Sequence, residues 1–124
     1  MLFILVCKED LPGRWTFFDT SAEGIFYLFI CVATLSHIIS AIHTIKPDLL
    51  LLELPPQNAL SMYDRLQSLP ELTNTPAIIS SKIEPDGKLT QQLQERQLVF
   101  LKRPYGQDHL LQVIKDLCSP PGEG

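Results

Sequence analysis

Apolar and polar residues fall into alternating blocks along this chain. Short apolar runs stand at Leu2 to Cys7, Ile25 to Val32, Leu49 to Leu52, Ala77 to Ser80 and Leu98 to Leu101. The run Leu49-Leu50-Leu51-Leu52 is the clearest. Lys46-Pro47-Asp48 introduces it, and Glu53-Leu54-Pro55-Pro56 closes it. It is too short for a helix and suits a strand buried on both faces. Between the runs the apolar spacing becomes helical. Ile38, Ile42 and Ile45 share one face of a segment from Ser36 to Ile45, which Lys46-Pro47 stops. Leu60, Tyr63 and Leu66 mark a helix from about Ala59 to Ser68. Leu89 and Leu93 mark another after Pro85-Asp86-Gly87. A last helix, capped at Asp108, carries Leu110, Leu111, Val113, Ile114 and Leu117.

The segment from Pro12 to Gly24 fits this rhythm least. Pro12 can open a helix. Thr16, Asp19, Thr20 and Ser21 are poor helix formers. With a helix there, strand and helix alternate five times. That order predicts an α/β fold with a parallel five-stranded sheet in the order 2-1-3-4-5 and helices on both faces. One domain spans residues 1–118. Residues 119–124, Ser-Pro-Pro-Gly-Glu-Gly, read as a tail or linker.

Composition narrows the function classes. A chain of 124 residues supports one core, and 45% hydrophobic with 19% charged residues is a globular balance. The net charge of −4 carries no basic nucleic-acid footprint. Cys7, Cys31 and Cys118 are odd in number and far apart, which fits neither a disulfide framework nor a zinc site and suits a reducing cytoplasm. Between Gly24 and Ile45 there is no Asp, Glu, Lys or Arg, about the length of a membrane span. The stretch changes character midway, from aromatic and β-branched to Ser36, His37, Ser40, His43 and Thr44. A buried strand followed by a helix is therefore expected, with a membrane anchor as the alternative. Met1 to Cys7 is too short for a signal peptide, and Lys8-Glu9-Asp10 interrupts it.

The chemistry gathers at the carboxyl ends of the strands. Lys8 and Glu9 follow strand one, Glu53 ends strand three, Ser81 follows strand four, and Arg103 follows strand five. In the expected strand order these ends share one cleft. A single carboxylate there is commonly a solvated loop residue; the set is more specific. Other candidates carry less. His37 and His43 lie at poor spacing for a shared ligand, and His109 suits a solvated helix start. No His is placed to activate Ser80 or Ser81 as a nucleophile. Trp15, Phe17 and Phe18 read as core, or as a partner patch if exposed. Gly-rich phosphate loops are missing.

Three stretches resemble the response-regulator receiver domain, a flavodoxin-like three-layer (βα)5 sandwich. Pro47-Asp48-Leu49-Leu50-Leu51-Leu52-Glu53 resembles the strand that ends on the phosphoacceptor Asp. Pro76-Ala77-Ile78-Ile79-Ser80-Ser81 resembles the strand ending on the switch Ser/Thr. Phe100-Leu101-Lys102-Arg103-Pro104-Tyr105 resembles the segment with the switch aromatic and the Lys-Pro pair. The separation of Lys8 from Glu53 also matches that of the family's acidic pair from its phosphoacceptor. The resemblance covers almost the whole chain.

The pocket residues depart from the family. Glu53 stands at the phosphoacceptor position, Lys8 and Glu9 at the acidic pair, and Arg103 at the lysine. The loop after strand three is shorter, with Ala59 at its usual Gly. Ser81 and Phe100 match the switch positions. A receiver pocket carries a surplus of carboxylates over its single lysine; here Glu9 and Glu53 face Lys8 and Arg103. Mg²⁺ needs carboxylates, and an ammonium in a ligand's place repels it. Glu also carries its carboxylate farther out than Asp, and a shift of about 1 Å can cost on the order of 100-fold in a positioned reaction. A one-residue slip would restore Glu9-Asp10 as an acidic pair.

The resemblance therefore implies an atypical, pseudo-receiver module of two-component signal transduction, cytoplasmic and not an enzyme, with Mg²⁺ binding weak or absent. It would act by phosphorylation-independent contact with a protein partner or effector domain, or as a homodimer through the family's helix 4–strand 5–helix 5 face. Direct nucleic-acid or membrane binding is not expected. Lys8 and Arg103 would hold Glu53 as an internal ion pair, or the cleft would simply be decayed. The alternative is a still phosphorylatable receiver controlling an effector, such as a transcription domain.

Overall fold

The uninterrupted apolar runs Leu2–Lys8 (β1), Ile25–Val32 (β3) and Leu49–Glu53 (β4) lie side by side at the centre of one sheet. In β4, Leu49 to Leu52 are all essentially inaccessible to solvent, as a strand covered on both faces requires. A computed structural model describes residues 2–8, 16–33, 35–72 and 74–118 of the chain. Its remaining elements are β2 (Thr16–Ala22), α1 (Leu35–Ile45), α2 (Pro56–Leu66), a 3₁₀ turn (Pro70–Leu72), β5 (Ala77–Ser81), α3 (Gly87–Glu95), β6 (Val99–Lys102) and α4 (Gln107–Cys118).

The sheet has six strands in the order β2-β3-β1-β4-β5-β6. Count and order differ from the expected five-stranded parallel sheet, and the fold is α/β with a mostly parallel sheet. The difference is β2, which lies antiparallel to β3 from Thr16↔Cys31 to Ala22↔Ile25. The helix expected from Pro12 to Gly24 is thus replaced by a strand over its described part. Local physics favours the strand. Thr and Phe are strand formers, and Thr, Asp and Ser are weak in helix interiors. Glu23 (φ 53°) and Gly24 (φ 80°) make a two-residue turn with both residues at positive φ, the geometry of a tight hairpin. Gly24 therefore closes a hairpin and not a helix. The expectations for Pro12, Trp15 and the tail 119–124 fall outside the described residues.

Helix boundaries move little and for simple reasons. The helix expected from Ala59 begins at Pro56, because proline tolerates the first turn, where no intrahelical N–H bond is lost. Asp86 caps α3 by accepting a hydrogen bond from the Leu89 amide at 2.8 Å. Asp108 lies in the first turn of α4, which starts one residue earlier, at Gln107.

Alternation of side chains along the strands divides the core in two. Leu5, Cys7, Ile30, Leu50, Leu52 and Ile79 pack toward α1, α2 and α3. Ile4, Val6, Tyr27, Phe29, Leu49, Leu51 and Ile78 pack toward α4 through Leu110, Leu111 and Ile114. Among the described helices, three cover one face and one covers the other. The uncharged stretch 24–45 contains all of β3 and all of α1; no helix among the described residues is long and apolar enough to cross a membrane.

Candidate functional site

Parallel pairing brings the expected strand ends together. β1 and β4 run in register to Lys8↔Glu53, and β5 and β6 to Ser81↔Lys102. By strand alternation Lys8 lies on the face of Ile4 and Val6, and Glu53 on that of Leu49 and Leu51. Both therefore rise from the α4 side of the sheet. Arg103 follows β6, its amide donating to the Ser81 carbonyl at 2.9 Å, which fixes the start of its loop.

The Lys8 ammonium lies 3.4 Å from Glu53 Oε2, and an Arg103 guanidinium nitrogen lies 3.7 Å from the same oxygen. The carboxylate is well covered, 14% exposed, while the cations are 39% and 33% exposed. Two cations thus share one carboxylate oxygen, with solvent reaching the cations more than the anion. The grip of Arg103 is incomplete: its Nε is buried and has no hydrogen-bond partner among the described residues. Glu9 and Asp10, whose carboxylates would complete an acidic pair, lie outside the described residues.

Tyr105 adjoins this cluster. Burial raises its phenol pKa above the ordinary value; the Glu53 charge adds to that, while a hydrogen bond with Ser80 and the charges of Arg103 and Lys8 oppose it. Ser80 donates from its hydroxyl to the Tyr105 oxygen at 3.4 Å. In the sequence Ser80 stands out only as a serine without an activating His, and Tyr105 only as the residue after Pro104. The signal was strand parity: of two successive serines ending a buried strand, one must face each side of the sheet.

The two switch positions stand apart from the ion cluster. Ser81 is buried on the opposite face, and its hydroxyl oxygen accepts the Ile83 amide at 3.1 Å. Phe100 is half-buried against the core on the α1–α3 side. With Leu93, Leu98, Glu84 and Pro85 it lines a groove of about 350 Å³ between α3 and β6. Lys102 and Glu84 pair at 3.0 Å nearby, and both are exposed. Ile83, 62% exposed, sits in the loop leading to this groove.

The described donor set does not fit a hard dication. Mg²⁺ is held through carboxylates and keeps its waters. At these strand ends the one described carboxylate is already in contact with an ammonium and a guanidinium. Among the described residues no three His, Cys, Asp or Glu side chains gather as a metal-binding group.

The other titratable groups serve the scaffold. His43 and Glu71 join α1 to the 3₁₀ turn. Asp64 and Arg96 join α2 to the end of α3 through two hydrogen bonds, at 2.8 and 3.1 Å. His37 is half-buried and His109 exposed, far apart in the fold. Cys7 and Cys31 are buried and Cys118 is partly so. No protein-family model matches the chain, and no curated protein matches it.

Proposed function

We propose that this chain is a pseudo-receiver: a flavodoxin-like signalling module of the two-component type that works by protein contact and not by phosphotransfer. The five parallel strands β3-β1-β4-β5-β6, with β2 added at one edge, support the flavodoxin-like reading. The observation that carries the functional reading is the position of Glu53. Its carboxylate lies at the strand end where a receiver would accept phosphate, between Lys8 and Arg103. Lys8 stands where a metal-binding acid would be needed. A guanidinium such as that of Arg103 pairs with carboxylates directly. The cluster fills the place of a metal–phosphate bridge with a fixed ionic contact, so the module holds one state without a reaction. We assign it no enzymatic step, a cytoplasmic setting and no direct contact with nucleic acid or membrane.

The partner surface we assign is the face of α3, β6 and α4, corresponding to the family's output face. The α3–β6 groove, with an apolar floor of Leu93, Leu98 and Phe100 and a rim of Glu84 and Lys102, suits a protein segment with an apolar anchor. An effector domain, a separate protein or a second copy would meet that requirement.

The test is incubation with a small phosphodonor and Mg²⁺, followed by intact mass. No phosphate adduct is expected with the wild type or with Glu53→Gln. A Mg²⁺-dependent gain of one phosphate that disappears in Glu53→Gln would overturn the proposal in favour of an active receiver.

A further inference from the structure

β2 gives this sheet an unusual edge. It is a seven-residue strand hydrogen-bonded on one side to β3, while the opposite edge strand, β6, has four residues. Edge strands commonly carry proline, lysine or a bulge that discourages further pairing. Thr16–Ala22 contains no proline and no lysine, and Asp19 is its single charge. Its pairing with β3 runs without interruption through seven consecutive residue pairs.

The hairpin decides which backbone groups face outward. Ala22 and Ile25 flank the two-residue turn and form a hydrogen-bonded pair. Alternation then directs the amide and carbonyl of Ser21, Asp19 and position 17 away from β3. An added antiparallel strand would bond to those residues. For a second copy related by a two-fold axis through the sheet, opposing residues must share a face, so the seam centres on one residue. Centring on Asp19 sets two carboxylates opposite each other. Centring on position 18 draws in residues before Thr16, outside the described strand. Centring on Thr20 sets Asp19 opposite Ser21 of the second copy, twice, and Thr20 opposite its own counterpart. A carboxylate then meets a hydroxyl donor, and Thr–Thr is a favourable cross-strand pair. Asp19 and Ser21 are both exposed in the single chain and so available for this contact.

The same register uses a cavity on the α4 side. Ala22, Glu23, Tyr27, Leu111 and Lys115 line a space of about 380 Å³ between the hairpin and α4. The hairpin is tied to α4 there by Lys115–Glu23 at 2.5 Å and by Gln107 donating to Thr20 Oγ1 at 3.1 Å. The edge is thus braced before any pairing. Centring on Thr20 brings position 18 of the second copy opposite Ala22, on the rim of that cavity.

We propose that the β2 edge is a self-association surface, on which two copies pair antiparallel about Thr20 to form one continuous sheet. This is separate from the α3–β6–α4 surface and independent of the chemistry at Glu53. Sedimentation equilibrium of the full chain over a concentration series tests it. A monomer–dimer equilibrium is expected. Ser21→Asp sets like charges opposite each other at both symmetric positions and is expected to weaken dimerisation about tenfold. Ser21→Lys is expected to tighten it. The double variant Ser21→Asp, Asp19→Lys restores opposite charges across the seam and is expected to recover association, which separates a broken interface from a misfolded chain. A chain that remains monomeric throughout overturns the proposal and leaves the edge to a strand from another protein. A dimer indifferent to all three Ser21 variants, but lost in Ile83→Lys, overturns it in favour of the α3–β6–α4 face.

Discussion

Replacing Glu53 by Gln tests the ion cluster directly. At 3.4 Å a pair of unit charges attracts by about 5 kcal/mol at an effective dielectric of ~20, and by about 1 kcal/mol in water. Glu53 is mostly covered, but Lys8 is 39% and Arg103 33% exposed, so screening lies between these limits. The cost of partly desolvating the carboxylate offsets much of the attraction. A net loss of about 1–2 kcal/mol is expected for Glu53→Gln, part of it from leaving Lys8 and Arg103 without their shared counter-charge. Arg103→Met should cost less than ~1 kcal/mol, because it also removes a buried Nε that has no hydrogen-bond partner among the described residues. In that background Glu53→Gln should cost about 1 kcal/mol less than in the wild type, and the coupling should shrink in ~1 M salt. Urea unfolding of the four proteins of this cycle, at low and high salt, gives the number. Equal costs of Glu53→Gln in both backgrounds would refute the cluster as an interacting unit.

Other outcomes follow from the core and from the titrating groups. Leu51→Ala, at a residue packed toward α4 from the central strand, should destabilise by about 2–5 kcal/mol in the same urea experiment. The Glu71 carboxyl is held below its ordinary pKa by a backbone hydrogen bond and by His43. Its unfolded form binds protons first as pH falls, so its contribution is present above the ordinary carboxylate range and is lost as pH drops through the lower, folded value. Glu71→Gln should therefore flatten the acid limb of a stability–pH profile and leave its neutral part nearly parallel to that of the wild type. Burial pushes the Cys7 thiol up to about 12 and the Cys118 thiol up to about 11. A thiolate-selective reagent at mildly alkaline pH should label Cys118 before Cys7, read by peptide mass, with Cys7 reacting only on unfolding.

The parts of the fold readable from sequence were those in which one physical signal acted alone. Unbroken apolar runs marked β1, β3 and β4, because a doubly covered strand has no polar face to confuse the pattern. The break at Pro85-Asp86-Gly87 marked the start of α3, whereas the start of α2 at Pro56, three residues before the expected Ala59, was hidden, because a proline in the first turn reads equally well as the end of the preceding strand. β2 was hidden because alternation of strand and helix elsewhere outweighed local composition. Thr16, Asp19, Thr20 and Ser21 argued against a helix, but Glu23-Gly24 lacks the Asn-Gly or Asp-Gly pair that marks a two-residue hairpin turn, so only Gly24 hinted at one. At the site, strand ends brought Lys8, Glu53 and Arg103 to one place, and parallel register made their meeting legible. The Ser80–Tyr105 hydrogen bond was not, since it depends on which face each of two adjacent serines takes and on the path of the loop after β6.

The uneven cover of the sheet bears on synthesis as well as on structure. α4 is made after every strand of the sheet, and it is the one described helix on its face. A nascent chain that has emerged only as far as β6 can pair its strands and dock α1, α2 and α3. Among the described residues no other helix covers Ile4, Val6, Phe29, Leu49, Leu51 and Ile78, which meet Leu110, Leu111 and Ile114 once residues 107–118 arrive. Among the described elements, the helix that closes this face is therefore also the last one synthesised.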